Sequence, residues 1–228
     1  MPQISIENKA PIYEAFNGSS KLLVSFGGIR QGLGIPVFEF FNSLSTVDCD
    51  KLFIRDFNQA WYHQGVDSRY SSIDALKDYL AQLIKENEYA RVCFIGNSMG
   101  GYAAILLGAM LNVNVVLAFA PQTFINKLKR LLHWDHRWPR EMKGLHFDKN
   151  KNPELFDLKK VLKSIDFKTE IKVYYSNQYR LDKVHAKQLK NFKQVELIGM
   201  QEGDHEIVRV LRDSGKLLSI ISSSLQSN

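Results

Sequence analysis

At 228 residues, 45% of them hydrophobic, the chain is long enough to bury one substantial α/β core and short for two, and it carries no low-complexity tract. Its first residues lack a basic region followed by an apolar stretch and no run reaches the length of a membrane span, so neither a signal peptide nor a membrane partner is expected. The net charge of +6 is local, with 13 Lys/Arg against 7 Asp/Glu between Lys127 and Lys172 and 17 against 17 elsewhere; this excess suits either an anionic partner or a plain solvated surface. No zinc-ligand spacing, phosphate-cradling loop or nucleic-acid motif accompanies it, so nucleic acid is not an expected partner. Cys49 and Cys93 lie far apart, and Cys93 falls in an apolar run. Reduced, buried thiols and a cytoplasmic location are the expectation.

In chain order, residues 22–26 (LLVSF) read as a central strand opening into a loop at Gly27 and Gly28. Residues 35–44 read as a helix with Pro36 in its first turn, and residues 51–55 as the next strand. An amphipathic helix follows over residues 72–88, capped by Ser71 or Ser72. A strand at residues 92–95 leads through a turn into a helix over residues 102–111, and residues 113–119 form another buried strand. Residues 122–132 suggest a helix, and residues 133–153 an aromatic, basic and irregular excursion. A strand at residues 171–176, a helix at 183–192, a last strand at 194–198 and a helical end from about 206 to 225, broken at Gly215, complete the chain. Alternating strands and helices predict an α/β fold, a mostly parallel sheet with helices on both faces. No repeat or linker is visible, so residues 1–228 are expected to form one domain, with a small cap at most within residues 122–160.

The segment Val92 to Ala104 is the most informative: an apolar strand, then Gly96-Asn97-Ser98-Met99-Gly100, then a helix opening with Gly101, Tyr102, Ala103 and Ala104. A serine hydroxyl is a weak nucleophile until it stands clear of its backbone, meets a base and has amide N–H groups nearby. A sharp strand-to-helix turn provides that geometry, and glycines two residues either side of the serine fit where side chains would collide. On these residues the chain resembles the α/β-hydrolase superfamily, as a small serine esterase-like member, and the order of elements follows it over nearly the whole length.

The resemblance implies a nucleophile, an acid and a histidine in that chain order, the acid after a late strand and the histidine after the last. Ser98 is then the nucleophile and His205, in Gly203-Asp204-His205-Glu206, the base. Asp182 is the only carboxylate within residues 177–186, the segment that follows the penultimate strand; it lies farther from that strand than in many family members, where this chain has Tyr179, so it either orients His205 or caps the next helix. Asp204 is the fallback. The oxyanion hole is implied to use the Met99 N–H and one from the loop after the first central strand, from Gly28 or Ile29. The other five histidines precede the last strand. His133 and His136 have metal-like spacing but no third ligand nearby, so no metal site is expected. No cofactor is expected either.

Trp61 and Tyr62 follow a strand at its C-terminal end, where open α/β sheets bind ligands, and with Trp134 and Trp138 they could line a pocket or be ordinary core. Arg30 or Arg55 could receive an anionic substrate group or pair with an acid. The implied activity is serine-dependent hydrolysis of a carboxylic ester, with a small acyl group on a polar or glycan-like small molecule. A thioesterase or acyltransferase using the same triad, or a hydrolase-fold binding protein without catalysis, are the alternatives, and oligomerisation is open.

Overall fold

The computed structural model describes residues 10–29, 38–149 and 151–226. Its described strands are β1 (Ile12–Ala15), β2 (Lys21–Phe26), β3 (Asp50–Ile54), β4 (Arg91–Asn97), β5 (Val115–Phe119), β6 (Glu170–Ser176) and β7 (Val195–Met200). They form one sheet in the order β1-β3-β2-β4-β5-β6-β7, parallel throughout except for β1, which runs antiparallel to β3 at the edge. This is the mostly parallel α/β sheet that the sequence predicts, with an added edge strand that it does not. The four residues of β1 are only partly buried and give little periodic signal.

The helices are α1 (Ile73–Glu86), α2 (Met99–Met110), α3 (Lys127–Leu132), α4 (Pro139–Phe147), α5 (Leu158–Ser164), α6 (Arg180–Lys187), α7 (Ile207–Asp213) and α8 (Lys216–Gln226). Strand side chains alternate between the two faces. Leu22, Val24 and Phe26 join Phe94 in a core shared with α1, α2 and α5, while Leu23, Cys93 and Ile95 join a second core with Ile207, Leu211, Leu217 and Ile221 of α7 and α8. Helix α2 buries eleven of its twelve residues, so a helix apolar all round occupies the middle of the molecule and holds its own first residue in place. Ser72 caps α1 by accepting from the Ala75 N–H at 3.1 Å, and Gly215, at φ 72°, separates α7 from α8. Both cysteines are buried and free.

Several expectations are corrected. The helix expected over residues 35–44 falls partly outside the described residues, and its described part is a series of turns in which Phe40, at φ 62°, departs from helical geometry. The helix expected from residue 122 starts only at Lys127, because Gln122 N–H bonds to the Ser98 carbonyl and Phe124 bridges to Asp157. Residues 133–153 are not irregular: Pro139 opens α4 as its first residue, a position where a missing N–H costs nothing. The helix expected at 183–192 starts three residues earlier, at Arg180, which places Asp182 in its first turn.

Candidate active site

The site is assembled where β4 turns into α2. Ser98 sits between them at φ 52° and ψ −111°, a conformation serine rarely adopts. Its N–H donates to the Phe119 carbonyl at 2.8 Å, and its carbonyl accepts from Tyr102 at 3.1 Å and Gln122 at 3.2 Å. The turn is therefore clamped to β5 as well as to its own helix. Its glycines are a matter of space: a Cβ on Gly96 would stand 2.2 Å from the Gly100 carbonyl oxygen, and one on Gly100 would stand 2.1 Å from that of Phe26.

The loops after β6 and β7 bring the other side chains in. Asn177 N–H donates to Met200 O at 2.8 Å, and the Ser176 hydroxyl donates to Gly203 O while accepting from the N–H groups of Gln178 and Tyr179. The segment carrying His205 is thus tied to the segment carrying Asp182. His205 Nε2 lies 3.0 Å from Ser98 Oγ, and its Nδ1 lies 2.8 Å from Asp182 Oδ1. A carboxylate only accepts, so Nδ1 carries the proton and Nε2 presents a lone pair to the serine hydroxyl. Asp182 and Ser98 are buried, while the His205 side chain is 26% exposed. Asp204, the fallback acid, is exposed, and its neighbour His205 is turned to Asp182.

The loop carrying Gly28 and Ile29 lies against this turn. A Cβ on Gly28 would approach the Asn97 carbonyl oxygen to 3.1 Å, and one on Gly100 would meet the Gly27 oxygen at 3.0 Å. Gly27 is held by its N–H to Ile54 O at 2.8 Å and by its carbonyl, which accepts from the Tyr62 hydroxyl at 2.9 Å. Met99 begins α2, so its N–H points out of a helix N-terminus, where positive partial charge collects. Arg30 lies outside the described residues.

Trp61 and Tyr62 do not line a pocket: both are fully buried, the Trp61 indole donating to Gln122 Oε1 at 2.9 Å and Tyr62 bracing Gly27. The cause is Asp56, which accepts the N–H groups of Asn58, Ala60 and Tyr62 and winds residues 56–62 inward through left-handed Gln59, Trp61 and Tyr62. Burial pushes the Asp56 carboxyl up to about 6. Arg55 lies over the rings of Phe38 and Phe57 and donates to Ala10 O, so it is engaged in structure. Trp138 is partly buried against the core, and Trp134 is exposed. His133 and His136 sit beside Phe124 and Trp134 respectively, and among the described residues no group of three metal-ligating side chains forms.

Behind Asp182 lies a charged cluster that sequence reasoning misses. Arg137 grips Asp135 through Nε and Nη2, both at 2.9 Å, and its Nη1 stands 3.6 Å from Asp182 Oδ1. His185 Nε2 donates to Asp135 Oδ2 at 3.0 Å, while its Nδ1 accepts the Thr123 N–H at 3.0 Å. That pattern makes His185 a neutral tautomer, and burial lowers its affinity for a second proton, to about 4. The Asp-His-Arg-Trp run was visible in sequence only as part of a basic, aromatic stretch; nothing local says that Arg137 folds back onto α6.

No family model matches the chain, and no curated protein does. Solved structures are similar to it. The capsule O-acetyltransferase of Neisseria meningitidis serogroup A shares 16% identity at a TM-score of 0.66, covering 91% of this chain and 90% of that one. The Glycosylation Associate Protein (Gap123) complex from Streptococcus agalactiae matches at a TM-score of 0.70 and 16% identity, over 95% of this chain and 44% of that chain. A lipase-esterase related protein from Clostridium acetobutylicum matches at a TM-score of 0.57 and 16% identity, over 93% and 98%. The fold is that of the α/β-hydrolases.

Proposed function

We propose that the chain is a serine hydrolase that cleaves a carboxylic ester, acting as one α/β-hydrolase domain in the cytoplasm with a small cap or excursion at most within residues 122–160. The observation that carries this reading is the continuous line Ser98 Oγ, His205 Nε2, His205 Nδ1, Asp182 Oδ1, with contacts of 3.0 Å and 2.8 Å. As Ser98 Oγ attacks the ester carbonyl carbon, His205 Nε2 takes the hydroxyl proton, and Asp182 stabilises the imidazolium that forms. The carbonyl oxygen becomes an oxyanion held by the Met99 N–H and by that of Gly28 or Ile29, each such donor lowering the barrier by roughly 3 kcal/mol. Collapse breaks the bond to the alcohol, whose oxygen leaves with the proton from His205. Water then attacks the acyl-Ser98 ester with the same base, the acid departs and Ser98 regains its proton. Arg137 acts as a positioning residue, its guanidinium holding Asp182 with Nη1 at 3.6 Å from Oδ1.

The substrate class favoured is a small acyl group on a polar, glycan-like molecule. The likeness to a capsule O-acetyltransferase, one of whose solved structures is a complex with CoA, supports a second reading: acyl transfer from a thioester to an acceptor hydroxyl through the same acyl-serine. Offering the protein an acetyl ester or acetyl-CoA, with and without polyol or oligosaccharide acceptors, separates the two. Free acetate at a rate independent of acceptor supports hydrolysis; an acetylated acceptor formed in place of acetate supports transfer. Neither product from either donor removes both and leaves a binding protein.

A further inference from the structure

Helix α3 is folded inside out. Its sequence, KLKRLL, sends Arg130 inward, buried beside Asp135 at 3.4 Å and bonded to the Arg137 carbonyl, and sets Lys129 on Asp157 at 2.7 Å. Leu128, Leu131 and Leu132, spaced to share one helical face, are 68%, 67% and 65% exposed. Trp134 at 74% and Phe147 at 73% extend that face, Trp134 two residues past the end of α3 and Phe147 with its ring 5.5 Å from Lys127 Nζ. Five of the seven large hydrophobic side chains exposed among the described residues are therefore gathered here. Scattered exposed leucines need no explanation, but a concentrated patch marks a contact surface.

Three features identify what covers it. Between Lys127 and Lys149 every exposed charged side chain is cationic: Lys127, Arg140, Lys143 and Lys149. A second copy of the chain, meeting this face with its own, would bring like charges together. Side chains with two-thirds of their surface free project outward instead of lining a groove, and projecting leucine, tryptophan and phenylalanine among lysines suit the headgroup level of a bilayer, which needs no preformed pocket. Asn126 caps α3 through the Lys129 N–H at 2.8 Å, so the face is built before any contact is made.

We propose that α3, Trp134 and Phe147 dock this protein on an anionic lipid bilayer, the apolar side chains entering at headgroup depth and the surrounding cations meeting lipid phosphates. No described helix is long and apolar enough to cross a membrane, so the contact is shallow. Arg180 Nη2 donates to His133 O at 2.9 Å, which ties this face to the first turn of α6 and sets it beside the candidate active site. The docking stands apart from the acyl-serine chemistry.

The test is cosedimentation of the full chain with phosphatidylcholine vesicles and with vesicles containing phosphatidylglycerol, for the wild type, the Ser98→Ala variant, a Leu131→Glu/Trp134→Ala variant and a Lys127→Glu/Lys143→Glu variant. The four substituted docking side chains, Lys127, Leu131, Trp134 and Lys143, are all exposed, and circular dichroism checks that each variant folds. Binding at least tenfold stronger to anionic vesicles, equal in Ser98→Ala and reduced at least tenfold in both other variants, is the expected result; each basic residue near such a surface contributes roughly fivefold. Equal binding by the Leu131→Glu/Trp134→Ala variant would reduce the effect to diffuse electrostatics and overturn the proposal. So would no binding to anionic vesicles, or a dimer in light scattering that Leu131→Glu dissociates, which would make a second copy the occupant.

Discussion

Ser98 holds a backbone conformation with φ 52° that glycine adopts more readily, and hydrogen bonds to Phe119, Tyr102 and Gln122 keep it there. Such strain costs on the order of 1–3 kcal/mol, partly offset in a glycine variant by the greater freedom of its unfolded chain. Ser98→Gly should therefore raise stability by about 1 kcal/mol, or about 2–4 °C in Tm for a chain of this size, while removing all turnover. Thermal denaturation that leaves Tm unchanged or lower would show that the turn is unstrained. Gly100 tolerates nothing larger, since its Cβ would lie 2.1 Å from the Phe26 backbone oxygen. The two candidate acids separate as cleanly. Asp182→Asn should lower kcat by about 10⁴-fold by stranding the wrong His205 tautomer, whereas Asp204→Asn, at an exposed position, should stay within about twofold. Steady-state kinetics with an activated acetyl ester gives both numbers.

At the level of elements, the excursion between β5 and β6 reaches back to α6. Arg137 links Asp135 to Asp182: its Nη1, which has no hydrogen-bond partner, stands 3.6 Å from Asp182 Oδ1, a pairing that is electrostatic and not a hydrogen bond. Removing the guanidinium leaves two buried carboxylates without their shared cation, which typically costs 3–5 kcal/mol of stability. Arg137→Leu should also lower kcat by roughly 10- to 100-fold with KM nearly unchanged, and Arg137→Lys should recover part of kcat. A variant with lower stability but wild-type kcat would limit Arg137 to a structural role. This cluster marks where sequence reading stopped. The elbow was legible because glycine spacing, an apolar strand and a small-residue helix are all local, and Asp182 because it is the only carboxylate between β6 and β7. Trp61 and Tyr62 were misplaced because their direction depends on Asp56 gathering backbone N–H groups up to six residues away. The inverted face of α3 was hidden because Asp157 and Asp135, which draw Lys129 and Arg130 inward, belong to other segments.

Across the whole molecule, α2 anchors the site and is itself locked by polar contacts in the core. The Tyr102 hydroxyl donates to Leu155 O at 2.7 Å, so the 2.9 Å contact to His63 Nε2 must have His63 as donor. The other ring nitrogen, Nδ1, is buried without a partner. Burial lowers the His63 pKa to about 4, so the folded state keeps it neutral while an unfolded chain protonates it near 6.5. The sign follows: this histidine leaves stability intact above pH 6.5 and withdraws it as pH falls toward 4. Between pH 7 and pH 5 the loss is about 2 kcal/mol. Asp56 and Glu39, raised by burial to about 6 and about 7, act in the opposite direction. Their effect is common to wild type and a His63→Phe variant and cancels in the comparison. Urea denaturation at the two pH values should show the wild type losing about 2 kcal/mol more than His63→Phe; equal losses would mean that His63 titrates normally in the fold.

The central claim, that Ser98 is an activated nucleophile, is tested most directly by treating the protein with a fluorophosphonate probe and reading intact mass. One adduct on the wild type, absent from Ser98→Ala and His205→Ala, is the expected result. A wild type that stays unmodified, or an adduct that persists in Ser98→Ala, would contradict it.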